Sequence, residues 1–188
     1  MLEEPTCPDA VIKVDDHITL EMIDECFVHD LHQLIVKNRD SLQRYLDWPQ
    51  YVTSIETTRK TAQSNRLLHQ RGYAKMFLIL RDHLLVGVLS LNAIEPTNKA
   101  AYIGYWLDEA AQGQGILSRA MQAMMRFYAE RGDIRRFVIK CRVANEASNR
   151  VAERNGFTLE GCQREAEFLN GRFDDQNIWG KIVTLNDE

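Results

Sequence analysis

The sequence predicts a mixed α+β fold in which one domain spans residues 1–188 and helices flank a mostly antiparallel central sheet. The front half of the chain carries apolar residues at helical spacing, and the middle carries short runs of strand type. Two strand–helix units and a final hairpin follow. A length of 188 residues, with 45% hydrophobic and 27% charged residues, suits one globular domain with a sizeable core.

Apolar periodicity sets the order of the elements. Strands are predicted over residues 11–22, 75–80, 83–91, 100–107, 136–143, 157–169 and 172–185. Helices are predicted over residues 26–37, 38–45, 53–70, 116–131 and 145–155. Asp15 and Asp16 interrupt the first strand, and residues 93–99, which include Pro96, form a connection.

Turn and capping residues mark several of these boundaries. Pro49 ends the second helix because a proline ring cannot continue it. Thr53 followed by Glu56 predicts a capping box at the start of the long third helix, and Gly72 predicts its end. The dipeptide at 170–171 is Asn-Gly, a strong hairpin signal, and it separates the last two strands.

Charge and cysteine usage exclude several classes of protein. A net charge of -4 and a pI near 5.8 argue against a nucleic-acid binder. Apolar runs stay well short of the roughly 20 residues of a membrane span, and the acidic N-terminus does not fit a signal peptide. Four scattered cysteines favour a cytoplasmic protein without structural disulfides, and no histidine has a cysteine at zinc-ligand spacing.

The most informative stretch is a buried strand, a glycine turn and a helix start, over residues 100–131. The turn reads Gly113-Gln114-Gly115, and Ile116 opens the helix. Helix starts have unpaired N–H groups and partial positive charge, so such a turn suits a phosphate or pyrophosphate. The spacing fits neither a P-loop nor the dinucleotide fingerprint. Taken alone, two glycines before a helix also fit a plain connecting turn.

The flanking residues resemble the GNAT superfamily of N-acetyltransferases. Its pyrophosphate-binding turn reads Gln/Arg-x-x-Gly-x-Gly/Ala, and here Ala110 replaces the leading Gln or Arg. A second, more specific pattern runs over residues 145–161, and the order of elements matches over nearly the whole chain. This resemblance implies a sheet that splays in the middle and acetyl-CoA as cofactor. The implied cofactor contacts are Tyr105, Trp106, Leu107, Gly113, Gln114, Gly115, Ile116 and Asn145.

Short motifs at 46–49, 93–96, 104–108 and 169–171 resemble the Rim branch, which acetylates the N-termini of ribosomal proteins. That branch includes an enzyme for the N-terminal serine of the acidic stalk protein. By analogy it also implies a homodimer. The implied reaction is direct attack in a ternary complex, because no histidine pairs with Cys141 to support an acyl-cysteine route.

Two catalytic residues follow from the same resemblance. Glu167 is the implied base, although water could relay the proton and alternation puts Glu165 on the same strand face. Ser148 is the implied acid for the thiolate, because the helix at 145–155 has no tyrosine; capping of that helix is the other interpretation of Ser148. Trp106 fits a core aromatic as well as a cofactor contact.

Two other functions stay open at this point. The same chemistry fits a small amine acceptor such as a polyamine or an aminoglycoside. The absence of a tyrosine from the predicted helix at 145–155 also fits a non-catalytic acyl-CoA-binding module.

Overall fold

A computed structural model describes residues 7–184. Its strands are β1 (Val11–Lys13), β2 (Ile18–Met22), β3 (Lys75–Arg81), β4 (Leu84–Glu95), β5 (Ala100–Leu107), β6 (Arg136–Arg142), β7 (Thr158–Leu169) and β8 (Arg172–Ile182). Its α-helices are α1 (Val28–Lys37), α2 (Arg39–Leu42), α3 (Ile55–Arg71), α4 (Ile116–Glu130) and α5 (Glu146–Arg154). The predicted mixed α+β class is confirmed.

One eight-stranded sheet joins all these strands in the order β1-β2-β3-β4-β5-β6-β8-β7. Neighbours are antiparallel except β5 and β6, which are parallel because α4 carries the chain back between them. The parallel pair is short, with partners from Ala100–Arg136 to Tyr102–Val138. Beyond Tyr102 the two strands separate, so the predicted splay in the middle of the sheet is present.

Both faces of the sheet are covered, and β3 shows how. Phe77 and Ile79 point to the side on which α4 packs, where Met124 is fully buried. Leu78 and Leu80 point to the opposite side, which α1 and α3 cover. Alternate strand residues face opposite sides of a sheet, so a strand buried on both sides reads as a continuous apolar run. Helices therefore pack on both faces of the sheet in which β5 and β6 diverge.

Three local predictions differ from the structure. His83 is not in a strand: Asp82 and His83 both have positive φ (48° and 66°), as a two-residue hairpin turn requires. β4 continues to Glu95 through residues predicted as a connection. The capping box is wrong, because α3 begins at Ile55 after Ser54, whose side chain makes no capping bond. Glu56 then occupies the second helical position and pairs with Arg59 instead.

Within residues 7–184, every helix is too short or too polar to cross a lipid bilayer.

Candidate active site

The gap between β5 and β6 exposes main-chain groups of β5. The N–H of Asp108 donates to the carbonyl oxygen of Val86 at 2.8 Å. Antiparallel ladders alternate, so the next pair, Gly87 with Leu107, is of the type that exchanges no main-chain hydrogen bonds. The N–H and C=O groups of Leu107 therefore point away from β4, into the gap.

The same alternation separates the three predicted strand contacts. Tyr105 stands two residues from Leu107 in a regular register, so its main-chain groups also face the gap. Those of Trp106 face β4, and its ring packs on Trp48 with ring centroids 6.2 Å apart. The main-chain groups of Tyr105 and Leu107 thus face the gap, where the carbonyl oxygen of Leu107 accepts a bond from the Gln112 side chain at 3.3 Å. Trp106 is half-buried and packs against the hydrophobic cluster under α1 and α3.

The glycine turn is fixed by a buried carboxylate at its base. Asp108 accepts hydrogen bonds from the ammonium of Lys37 at 2.8 Å and from the N–H of Ala110 at 3.4 Å. The amide oxygen of Asn38 accepts the N–H of Glu109 at 3.1 Å. Burial by itself would raise the pKa of Asp108, but the bonds from Lys37 and Asn38 hold that pKa below its usual value. The carboxylate thus stays charged and anchors the chain entering the turn.

The turn presents a row of free amides. Gly113 and Gly115 have left-handed φ angles of 74° and 72°, which favour glycine, and a Cβ at either would have no atom within 4 Å. Among the described residues, no acceptor pairs with the N–H groups of Gly113, Gln114, Gly115 and Ile116. Ile116 opens α4, whose dipole adds partial positive charge there. An exposed turn with these properties can hold a diphosphate.

Two arginines stand against the turn. Arg119 donates to the carbonyl oxygens of Gly115 at 3.3 Å and Gln114 at 3.4 Å, and its guanidinium lies 2.6 Å from the carboxylate of Asp15. Arg81 bonds the side-chain oxygen of Gln114. These contacts occupy the carbonyls of the turn and leave its amides open. They also bring two guanidinium groups beside the turn, of which that of Arg119 is paired with Asp15.

Ser148 lies on α5 where that helix meets the gap. Its N–H donates to the side-chain oxygen of Asn145 at 3.2 Å, so Asn145 caps α5. The hydroxyl of Ser148 lies 2.5 Å from the hydroxyl of Tyr105 and makes no capping bond among the described residues. Asn145 and not Ser148 supplies the capping side chain, and the Ser148 hydroxyl lies against Tyr105 and Cys141.

Cys141 lies on β6 beside this pair of hydroxyls and is buried. Burial raises the pKa of the Cys141 thiol, hydrogen bonds with Ser148 and Trp179 oppose that rise, and the charge of Glu167 adds to it. The side chain of Asn149 ties the region together, because its oxygen accepts bonds from Cys141 at 3.3 Å and from Trp179 at 2.9 Å. The side chains of Ser148 and Glu167 thus both lie near the Cys141 thiol.

Glu167 is held by a buried arginine. The Nε of Arg142 lies 3.4 Å from the carboxylate of Glu167, and Gln176 donates to the same oxygen at 3.1 Å. Arg142 also binds Asp174 at 3.0 Å, directly across the β7–β8 pair from Glu167. About 9% of the Arg142 side chain is exposed, against 29% for Glu167. The carboxylate of Glu167 is therefore oriented by Arg142 and Gln176 and remains partly exposed.

A bulge in β7 separates Glu165 from Glu167. The register steps from the pair Gln163–Gln176 to the pair Glu167–Asp174, so residues 164–166 oppose Asp175 alone. Glu165 has a φ of 50°, and its N–H donates to the side chain of Asp175 at 2.9 Å. The prediction that Glu165 and Glu167 share a face by alternation is wrong, because the bulge breaks the alternation between them.

A buried polar cluster lies elsewhere, against a cavity of about 830 Å³ at the far end of β5. Cys7, Asp9 and His69 offer possible metal ligands within 4.8 Å of one another. The carboxylate of Asp9 is already bound by Lys75 at 2.5 Å and Tyr128 at 2.6 Å. An ammonium occupies the place of a cation, so this chemistry favours a structural ion pair over a metal.

Sequence reasoning missed two residues of the site. The strand pattern points to the main chain of Tyr105 and gives no role to its side chain. No local pattern links that side chain to Ser148, which is 43 residues away. Arg142 closes a strand and reads as a solvated terminus, yet the structure buries it under Leu169, whose carbonyl it bonds at 3.2 Å. The only available signal was a charged residue continuing the apolar run of β6.

A sequence profile of the acetyltransferase (GNAT) domain matches residues 18–158. The matched span runs from β2 to the first residue of β7 and includes the diverging strands, the glycine turn and Ser148. The chain therefore belongs to the GNAT acetyltransferase family and is an acetyltransferase. Glu167 lies beyond the matched span.

Comparison with individual proteins shows which acetyltransferases this chain is similar to. The chain is 58% identical over 172 residues to the ribosomal-protein-serine acetyltransferase of Escherichia coli, covering 92% of this chain and 96% of that protein. A solved structure of RimL, a ribosomal L7/L12 alpha-N-protein acetyltransferase in complex with coenzyme A, is 62% identical with a TM-score of 0.90. That match covers 92% of this chain and 98% of the other.

A third relative has a different role. The microcin C7 self-immunity acetyltransferase MccE, in complex with acetyl-CoA and AMP, is 38% identical with a TM-score of 0.91. The match covers 96% of this chain and 100% of that one.

Proposed function

We propose that the chain, as one domain over residues 1–188, acetylates the N-terminal α-amino group of a ribosomal protein, using acetyl-CoA. The serine at the N-terminus of the acidic stalk protein L7/L12 is the proposed acceptor. The observation that carries this proposal is 58% identity to the E. coli ribosomal-protein-serine acetyltransferase over nearly the full length of both chains. Because the proposed substrate is a ribosomal protein, we also propose a cytoplasmic reaction, and by analogy to the Rim branch we propose a homodimer.

The free amides of the turn support the choice of coenzyme. Gly113, Gln114, Gly115 and Ile116 would bind the diphosphate through their N–H groups. The main-chain groups of Tyr105 and Leu107 would pair with amides of the pantetheine arm, and Asn145 would orient that arm. In this arrangement the Leu107 N–H polarises the thioester carbonyl. Acetyl-CoA supplies an activated acyl group with a thiolate leaving group.

The sulfur of the coenzyme would end beside Ser148. In the RimL complex, coenzyme A is joined to a cysteine by a disulfide. Among the four cysteines of this chain, Cys141 lies next to Ser148 at the gap, and Cys26 and Cys162 are exposed. A thiolate placed there would accept a proton from the Ser148 hydroxyl.

Glu167 is the proposed base. An α-amino group has a pKa of roughly 8, so a carboxylate that orients the amine or a bound water can take its proton as attack proceeds. Arg142 and Gln176 hold one oxygen of Glu167, which leaves the other for this task. The amine attacks the thioester directly, both substrates being bound together, and the base removes the proton that the new amide sheds.

A peptide panel tests the acceptor. Peptides that differ only in their first residue, Ser, Ala or Met, are incubated with acetyl-CoA, and the released thiol and the peptide mass are measured. The expected result is fastest acetylation of the serine peptide. Equal rates with all three peptides, or no acetylation of any, would contradict the proposed acceptor.

Paired variants test the base. Glu167→Gln keeps the shape of the side chain and removes its basicity, so kcat should fall by about 100-fold. Glu165→Gln is the matched control, because Glu165 lies on the exposed bulge, and its kcat should stay unchanged. Equal rates in the two variants would remove Glu167 from the mechanism.

A small-molecule amine is the second candidate acceptor. The 38% identity to MccE, solved with acetyl-CoA and AMP, favours this alternative over a non-catalytic module. AMP, polyamines and aminoglycosides belong in the same assay. Turnover of one of these above that of the serine peptide would replace the ribosomal acceptor.

A further inference from the structure

We propose that Tyr105 is a positioning residue for acetyl transfer, and that its hydroxyl donates to Ser148 and so aims the Ser148 proton at the leaving sulfur. This inference rests on the proposed function of Ser148 as the proton donor. It assigns a task to a side chain of β5 whose main chain faces the coenzyme.

The geometry that carries the inference is a contact between two elements. Tyr105 comes from β5 and Ser148 from α5, and their oxygens lie 2.5 Å apart, at the short end of hydroxyl–hydroxyl bonds. The N–H of Ser148 is bound by Asn145, which fixes the first turn of α5. The serine hydroxyl therefore has a fixed position between the Tyr105 hydroxyl and the Cys141 thiol.

The direction of this bond decides whether Ser148 can act. A serine hydroxyl carries one proton and can accept from a second donor. If Tyr105 donates, the Ser148 proton is free to point elsewhere, and hydrogen bonds in such a chain strengthen one another. If Ser148 donates, its proton is spent on Tyr105 and the thiolate has no donor.

The surroundings of Tyr105 keep its phenol protonated. Burial raises the pKa of Tyr105 to about 12; the bond with Ser148 and the charge of Arg154 on α5 oppose that rise, and Cys141 on β6 adds to it. At neutral pH the phenol is a constant donor. Its donation does not depend on a titration within the working range of the enzyme.

The proton transfers balance. As the C–S bond breaks, its electron pair leaves with sulfur, which takes the Ser148 proton. Ser148 then takes the Tyr105 proton, and solvent restores the proton of Tyr105. The proton shed by the amine passes to Glu167 and then to solvent. One N–H proton is thus lost and one S–H proton is gained in each turnover.

Removal of a single oxygen tests the inference. Tyr105→Phe keeps the ring and removes the hydroxyl, so kcat should fall by about 10- to 100-fold while KM and the Kd for coenzyme A stay unchanged. Tyr102→Phe is the matched control: the same change on the same strand, at a tyrosine that lies in the paired part of β5, with no change in kcat expected.

A double-mutant cycle separates positioning from packing. Ser148→Ala should lose at least as much kcat as Tyr105→Phe, and the double variant should be no slower than Ser148→Ala alone. In single-turnover assays in mixtures of H₂O and D₂O, a relay of two protons gives a curved rate dependence in the wild type. Tyr105→Phe should make that dependence linear.

Each result is decisive. Full activity of Tyr105→Phe, or losses that multiply in the double variant, would overturn the inference while leaving the acetyltransferase proposal intact. If the wild type itself fails to acetylate the serine peptide, the proposed function fails first.

Discussion

Replacing Gly115 by alanine separates the cost of the turn's conformation from its contribution to coenzyme binding. Gly115 has a φ of 72°, and an added Cβ would meet no atom within 4 Å. The expected loss of folding stability is therefore conformational, about 1–2 kcal/mol for an L-residue in the left-handed region. Gly72, which ends α3, has a φ of 77° and equally open surroundings, so Gly72→Ala should lose the same amount.

The two variants should differ in coenzyme affinity. A methyl group at position 115 would stand in front of amides that we assign to the diphosphate. Losing one amide bond to a charged oxygen costs roughly 1.5–3 kcal/mol, equivalent to a Kd for coenzyme A weaker by about 10- to 150-fold. Gly72→Ala, on a loop at the far end of β5, should keep the wild-type Kd.

Two measurements on each variant decide the matter. Urea unfolding gives the stability loss, and isothermal titration with coenzyme A gives the Kd. Equal losses of stability with a weaker Kd in Gly115→Ala alone would support the amide assignment. The same Kd in both variants would refute it, because the turn would then have no role in holding the diphosphate.

Two further changes test the fold that carries the site. Gly87→Ala puts a methyl group 2.5 Å from the carbonyl oxygen of Trp106, so urea unfolding should show a loss of about 1–3 kcal/mol and acetyl transfer should slow. Asp9→Asn leaves the Lys75 ammonium buried without its charge partner, and should cost about 3–5 kcal/mol at pH 7. Burial by itself raises the pKa of Asp9, but hydrogen bonds with His69, Cys7, Lys75 and Tyr128 lower it below its usual 3.8. A lowered pKa stabilises the fold above that value, so the difference from wild type should shrink as the pH falls below about 4.

The elements of this fold could be predicted from sequence because each carries its own local signal. Gly72 ends α3 in a left-handed conformation, as predicted, and the Asn-Gly at 170–171 forms the last hairpin turn. The boundaries that failed were set by the neighbouring chain. β4 reaches Glu95 because β5 supplies a partner at Ala100, which periodicity within residues 93–99 does not reveal.

The carboxylates of β7 show why a site is harder to predict than a strand. Alternation is a rule for regular pairing, and Glu165 lies in a bulge that three residues form opposite Asp175. Glycine or proline would have signalled an irregularity, but residues 164–166 read Arg-Glu-Ala. The bulge becomes evident only when β7 is aligned against β8. Once it is, Glu167 and not Glu165 is the one that pairs with the buried Arg142.

The feature that links this fold to its chemistry is the incomplete pairing of β5. Buried main-chain groups are normally satisfied, and each unsatisfied group costs about 1–3 kcal/mol. A strand that gives up its parallel partner after Tyr102 needs another source of hydrogen bonds for Tyr105 and Leu107. In the proposed complex, the amide-bearing arm of the coenzyme would meet that need with the spacing of a strand. The same separation of strands lets the hydroxyl of Ser148 from α5 reach Tyr105, so the proposed coenzyme binding and the proposed proton supply depend on one structural feature.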